Sequence, residues 1–283
     1  MMGKLKAIWD LLRLDHGFMY ALGVVIGIFI SSKSIEAEKI ILGILTAVFC
    51  QASAFALNDY VDYEVDKANM RLDRPLVRGD LKPRSALLLS IILAPFGFIS
   101  SYLISLEAFI SAFLVTFIGY MYDLKLKEFG IIGNTYIAFS MSFPFIFGGI
   151  IVGSIEPQII VLSLMAFLSG LGREIMKDIE DVVGDGVRGV RSVVRIRGFE
   201  FAKRLSSLLF LLAVILSPIP FVYLDKYMFD MKYIIPIALA DFIFIHTSIE
   251  LLRTDRIDVI GVYRKRTLIA ILIGLIGFLL GVF

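Results

Sequence analysis

The sequence predicts an all-α, polytopic membrane protein, and three observations carry that prediction. Hydrophobic residues make up 58% of the 283 and charged residues only 19%, with a mean hydropathy of +0.86. Soluble domains sit near about 45–50% apolar and about 25% charged, so one domain of this length cannot hide the excess from water. Nine apolar runs can be read along the chain; they are continuous rather than alternating, which fits spanning helices and not barrel strands. With the N-terminus placed in the cytoplasm, the 28 lysines and arginines divide 24 to 4 between the two sides, the asymmetry of the positive-inside rule. A disordered chain, a coiled coil and an ordinary cytosolic enzyme are excluded.

In order, the spans are predicted at 16–32, 40–58, 85–105, 107–122, 131–153, 158–173, 201–223, 233–252 and 266–283. The basic start (Lys4, Lys6) leads into an uncleaved first span rather than a signal peptide. Span 1 carries Gly23 and Gly27, and span 9 carries Gly277 and Gly281, at the spacing of close helix packing. Two long polar loops, 59–84 and 174–200, follow spans 2 and 6 and so fall on the same, cytoplasmic face. That placement suggests one domain, 1–283, built from two related halves (1–130 and 131–265) with a ninth helix, 266–283, added. Mid-span acids are rare: Asp241 is the clear case, with His246 and Glu250 further along span 8, and interhelical hydrogen bonding is the favoured reading of all three. Cys50 is a single cysteine, and His16 and His246 are too far apart for a histidine metal site.

The two polar loops carry the chemistry. In N58-D59-Y60-V61-D62-Y63-E64-V65-D66, Asn58, Asp62 and Asp66 are spaced i, i+4, i+8 and share one face of a helix leaving span 2. In D178-I179-E180-D181-V182-V183-G184-D185, Asp178, Asp181 and Asp185 are spaced i, i+3, i+7, again one face. Clustered carboxylates repel unless a cation sits among them. Oxygen-only ligands suit Mg²⁺, which prefers to be shared between a carboxylate or two and substrate phosphates. Lysines and arginines flank both clusters, and can hold the non-bridging oxygens of a diphosphate.

NDYVDYEVD resembles the N-D-x-x-D-x-x-x-D signature of the UbiA superfamily of intramembrane prenyltransferases, and DIEDVVGD resembles its second Asp motif. The stretch R74-P75-L76-V77-R78-G79 is similar to that family's Arg-Pro-Leu run, and Y122-D123-L124-K125 to its Tyr and Lys motif, with Asp123 where relatives often have Ser. Arg13 fits the Arg that opens the family's first span, although Leu14 follows it where relatives commonly have Pro. The resemblance covers essentially the whole chain. It implies nine helices in a ring around a central cavity with a cytoplasmic polar cap, in a multi-pass cell-membrane enzyme.

It also implies Mg²⁺-dependent transfer from an isoprenyl diphosphate. Asn58, Asp62 and Asp66 would bind one Mg²⁺ and Asp181 and Asp185 another, with Asp59 and Asp178 as direct or supporting ligands. Lys67, Arg74, Lys177 and either Lys125 or Lys127 are the candidates for the diphosphate. Tyr122 is placed to face the cationic carbon, or to be an interfacial belt tyrosine. REIMKDIEDVVGD is most similar to the archaeal lipid branch, which makes digeranylgeranylglyceryl phosphate. The implied acceptor is then the free hydroxyl of geranylgeranylglyceryl phosphate, with Arg13, Arg71, Arg188 and Arg191 as the spare cations for its phosphate. An aromatic prenyltransferase of quinone biosynthesis is the alternative within the family, and a membrane transporter the alternative outside it. Membrane lipid is the setting; neither a nucleic acid nor a protein partner is implied.

Overall fold

The computed structural model describes residues 2–32, 36–68, 70–182 and 189–282. Asp185 and Arg188 lie outside the described residues. Among the described residues every regular element is a helix: α1 Met2–Leu12, α2 Leu14–Ser31, α3 Ala37–Ala68, α4 Pro75–Arg78, α5 Pro83–Ile104, α6 Leu106–Leu124, α7 Ile131–Val152, α8 Pro157–Glu180, α9 Val193–Arg197, α10 Phe199–Leu216, α11 Pro218–Tyr223, α12 Met231–Arg253 and α13 Ile260–Leu280. A 3₁₀ turn, Leu126–Phe129, joins α6 to α7.

Eight segments are long and apolar enough to cross a membrane: α2, α3, α5, α6, α7, α8, α10 with α11, and α12. They match the first eight predicted spans, and α13 corresponds to the ninth. It starts six residues before the expected 266 and takes Arg264, Lys265 and Arg266 into its second turn. Span 7 is a helix of two pieces, because Pro218 and Pro220 lack the N–H groups that would continue α10. Prolines also open α4, α5 and α8 at the first turn, where the missing donor costs nothing.

Neighbours in sequence pack as neighbours in space: α2 on α3, α3 on α5, α5 on α6, α7 on α8, α8 on α10, α10 on α12 and α12 on α13. The bundle closes where α2 packs against α7 and α13 against α8. Lipid tails give no hydrophobic drive between helices, so close approach and van der Waals contact must supply it. The α2–α7 crossing shows this: a Cβ on Gly27 would fall 2.2 Å from the Phe145 carbonyl oxygen, and one on Gly148 2.4 Å from that of Val24. A large apolar cluster joins α8, α10, α12 and α13; another, at the opposite end of the bundle from the acid loops, stacks Tyr227, Tyr233 and Phe278. Outward faces such as Leu88, Ile91, Phe96 and Ile99 of α5 are exposed apolar surface, suited to lipid.

Asp241 and Glu250 have partners on neighbouring helices, whereas His246 lies near Glu250 on its own helix, beyond hydrogen-bonding distance. Ser217 Oγ donates to Asp241 Oδ2 at 2.6 Å, Arg266 of α13 pairs with Glu250 of α12, and His246 Nδ1 lies 3.7 Å from Glu250. Helix α1, which has no counterpart among the predicted spans, packs on α3 and α4, and its Asp10 pairs with Arg78 at 3.1 Å.

Candidate active site

Helix α3 has 32 residues, about 48 Å at 1.5 Å per residue, against a hydrocarbon core of about 30 Å. Its last turns therefore stand clear of the membrane and carry the first acid cluster, as the i, i+4, i+8 spacing requires. Asp59, one position round from Asn58, is 2% exposed and is held by two arginines from different segments. Arg13 Nη2 donates to its Oδ1 at 2.8 Å and Arg74 Nη1 at 3.2 Å. Arg74 also lies 3.7 Å from Asp66, tying both acids to the loop after α3. Arg13 stands in the left-handed backbone region between α1 and α2 (φ 45°), with its guanidinium 4.2 Å from the Phe55 ring centroid. Burial, then the neighbouring Arg74, pulls Arg13 below its ordinary pKa, and Asp59 opposes both.

The other face of α3 meets α6. Asn58 Nδ2 donates to Asp123 Oδ1 at 2.7 Å and, more weakly, to Asp62 Oδ2 at 3.4 Å. A carboxylate only accepts, so Asp123 fixes which way the amide points and turns Asn58 Oδ1 away from it. Lys127 pairs with Asp62, whereas Lys125 is exposed at the end of α6. The sequence left these two lysines as alternatives; Lys127 is the one that reaches the acids. Lys67 is exposed and sits over the Tyr63 ring at 5.8 Å.

The second cluster hangs from the C-terminal end of α8. Asp178 Oδ2 accepts from Asn134 Nδ2 of α7 at 2.7 Å; Asp181 is the residue on which the helix ends. Lys177 lies 3.7 Å from Glu174. The returning loop is pinned where the Arg191 N–H donates to the Glu128 carbonyl at 3.1 Å. Gly130 makes that approach possible: its φ is +56°, and a Cβ there would lie 1.8 Å from the Arg191 carbonyl oxygen.

The two clusters converge. Arg71, bonded through Nε and Nη2 to Asp73 at 2.9 and 3.0 Å, lies in the fields of both Asp66 and Asp181. The hydrogen bonds that Arg71 donates to Asp73 raise Arg71 above its ordinary pKa, and the same bonds hold Asp73 below the ordinary carboxylate range. Beneath them, the Tyr122 hydroxyl feels Glu174, Asp123, Asp62 and Asp178, that is, both loops at once. Its ring stacks on Tyr136, with centroids 5.6 Å apart.

Among the described residues no three acidic, histidine or cysteine side chains lie close enough together to form a ready-made metal cage. Mg²⁺ is bound through one or two carboxylates plus substrate phosphates, and the carboxylates of Asp62, Asp66 and Asp181 with the Asn58 amide offer such oxygens. The donor set is oxygen throughout, and Asp59 Oδ2 is buried without a hydrogen-bond partner.

Of the sequence-predicted residues, Asn58, Asp59, Asp62, Asp66, Arg71, Arg74, Tyr122, Lys127, Asp178 and Asp181 gather here with Arg13. Lys67, Lys125 and Arg191 lie on the outside, exposed. Glu174 and Asn134 were missed as site residues. Glu174 could have been found, since it continues the Asp178 and Asp181 face one turn back; Asn134 is a lone amide in an apolar span and gives no such signal.

Residues 20–258 match the UbiA prenyltransferase family. The chain is 54% identical over 281 residues to the digeranylgeranylglyceryl phosphate synthase of Archaeoglobus fulgidus, covering 99% of this chain and 96% of that one. A solved structure concerning digeranylgeranylglyceryl phosphate synthase in membranes superposes with a TM-score of 0.79 at 33% identity, over 99% of this chain and 98% of that one. A UbiA homologue from A. fulgidus, itself bound to DMAPP and Mg²⁺, shares the fold with a TM-score of 0.66 at 21% identity, over 94% and 97% of the two chains.

Proposed function

Because the chain belongs to the UbiA prenyltransferase family, we propose that it transfers a geranylgeranyl group from geranylgeranyl diphosphate to the free hydroxyl of geranylgeranylglyceryl phosphate, forming the second ether bond of an archaeal lipid. The single structural observation that carries this reading is the convergence of the two acid clusters: Lys127 pairs with Asp62, and the next residue, Glu128, accepts a backbone bond from Arg191 of the second loop. The acceptor is assigned from near full-length identity to a digeranylgeranylglyceryl phosphate synthase.

Asn58, Asp62 and Asp66 on one side and Asp181 and Asp185 on the other would hold Mg²⁺. Bound there with the diphosphate, Mg²⁺ neutralises the leaving group and acts as its Lewis acid. Asp123 presents the Asn58 oxygen, and Asn134 steadies Asp178. Arg74 and Lys127, now paired with acids, are the buried-side cations for the diphosphate oxygens, with Lys177 at the rim. Lys67 and Lys125 stand outside this group. Arg71 and Arg191, with Arg188, supply further positive charge to the cap. As the allylic carbon gains positive charge, the Tyr122 ring face stabilises it, and the surrounding apolar helices keep out water that would quench it.

Both acid loops are assigned to the cytoplasmic face, on the 24 to 4 distribution of lysine and arginine. The single domain 1–283 is read as two halves, 1–130 and 131–265, plus a final helix. The packing of α2 on α3 and α3 on α5 has its counterpart in α7 on α8 and α8 on α10. Each acid loop also returns through a short helix, α4 or α9, that ends in Arg-Gly with the glycine at positive φ.

The test is purified protein in detergent with Mg²⁺, geranylgeranyl diphosphate and either geranylgeranylglyceryl phosphate or hydroxybenzoate. The expected product is digeranylgeranylglyceryl phosphate; efficient prenylation of the ring instead would overturn the acceptor and leave the family. Orientation is tested by single cysteines in a Cys50→Ser background. Lys82→Cys and Arg195→Cys should label from the cytoplasmic side and Lys232→Cys from the other.

A further inference from the structure

Helix α8 presents two chemically opposite stripes near the cap. At 3.6 residues per turn, Glu174, Asp178 and Asp181 share one face, and Arg173 and Lys177 share the next, about 100° round. The acidic stripe belongs to the donor site. Arg173 has no role in it, yet it is the more unusual residue. Its Nε is fully buried and has no hydrogen-bond partner among the described residues. Glu174 follows it in sequence, and Arg264 of α13 is close enough to act on it electrostatically. Arg264 is itself paired with Glu180, which anchors it on the same side of α8.

A buried guanidinium N–H left unpaired costs free energy, and a second guanidinium nearby raises that cost. An anion resolves both, and the planar fork of arginine matches phosphate oxygens. Arg173 lies five residues before Asp178, about 7.5 Å deeper along the helix. An anion there would sit beside the acid stripe on the membrane side of it. Resting on the donor and acceptor reading above, we propose that Arg173, with Arg264 of α13 nearby, holds the phosphomonoester of the lipid acceptor. The acceptor hydroxyl is on the same three-carbon glycerol as that phosphate, so anchoring the phosphate here offers the hydroxyl to the allylic carbon. Donor and acceptor anions are thereby held on adjacent faces of one helix and kept apart.

The experiment compares wild type, Arg173→Gln, Arg173→Lys and Arg264→Gln with geranylgeranylglyceryl phosphate and with its dephosphorylated form, varying donor and acceptor separately. Arg173→Gln should raise the acceptor KM roughly ten- to a hundredfold, erase the preference for the phosphorylated acceptor and leave the donor KM unchanged. Arg173→Lys should fall between, and Arg264→Gln should shift the acceptor KM in the same direction by less. If Arg173→Gln does not fold, Arg173→Lys and Arg264→Gln carry the test. Wild-type acceptor KM and phosphate preference in the folded Arg173 variants, or an equal rise in donor KM, would overturn this assignment alone. A wild type indifferent to the phosphate would overturn the acceptor reading and this assignment with it.

Discussion

The two acid loops are alike in spacing and unlike in how they are held. In the first, charge is met by charge: Asp59 and Asp66 are buried against Arg13 and Arg74, and Asp62 is paired with Lys127. In the described part of the second, Asp178 is held by the neutral amide of Asn134, and Glu174 has Lys177 at 3.7 Å. The first loop is thus an ion-paired network drawn from four segments of chain. The described part of the second is the half-buried end of one helix, tied near the first by the backbone bond from Arg191 to Glu128. Removing one partner of a buried ion pair costs far more than removing one neutral hydrogen bond, so the Asp59 network is the part of the site most sensitive to loss of a single side chain.

The largest expected effect is one on which the loops do not differ. Asp62→Ala and Asp181→Ala should each lower kcat/KM by about a thousandfold or more, since each ~1.4 kcal/mol of lost transition-state stabilisation is tenfold. Steady-state transfer assays check this, and near-normal turnover in both variants would break the two-loop account. Stability should then separate them. Asp59→Asn strands two arginines and should cost about 3–5 kcal/mol, seen as a large loss of Tm in detergent. Asp178→Asn keeps an oxygen for the bond from Asn134 and should cost less than Asp59→Asn. Equal losses would remove the distinction between the loops.

Gly130→Ala tests the tether. A strained backbone position costs about 1–3 kcal/mol, and here the added Cβ also collides with the Arg191 carbonyl. The second loop should be displaced, lowering transfer while the helical content by circular dichroism is kept. The smallest effect sharpens the lysine assignment. Lys127→Met should weaken the donor KM by roughly tenfold or more, as loss of a charge-assisted contact does. Lys125→Met, on the exposed side, should change stability by no more than about 0.5 kcal/mol and leave the donor KM as it is.

Much of this was legible in the sequence, for physical reasons that apply unevenly. Spans are legible because bilayer thickness imposes a length on every apolar run, and Asn58, Asp62 and Asp66 because a helix imposes their spacing. The limit came where contacts join distant segments. That Asp59 Oδ1 is held by Arg13 depends on how α1 turns into α2. That Lys127 and not Lys125 reaches Asp62 depends on a 3₁₀ turn whose spacing differs from an α-helix. The start of α13 six residues early was hidden by Arg264, Lys265 and Arg266, which read as loop charge; Arg264 pairs with Glu180 and Arg266 with Glu250 on neighbouring helices.

The central claim is that both loops grip one diphosphate. It is tested most directly by calorimetric binding of a non-reacting geranylgeranyl diphosphate analogue to the purified protein, with Mg²⁺ and with EDTA, in wild type, Asp62→Ala and Asp181→Ala. The account predicts Mg²⁺-dependent binding in the wild type and a loss of roughly a hundredfold or more in each variant, at about 1.4 kcal/mol per tenfold. Wild-type affinity in either variant, or tight binding that ignores EDTA, would contradict it.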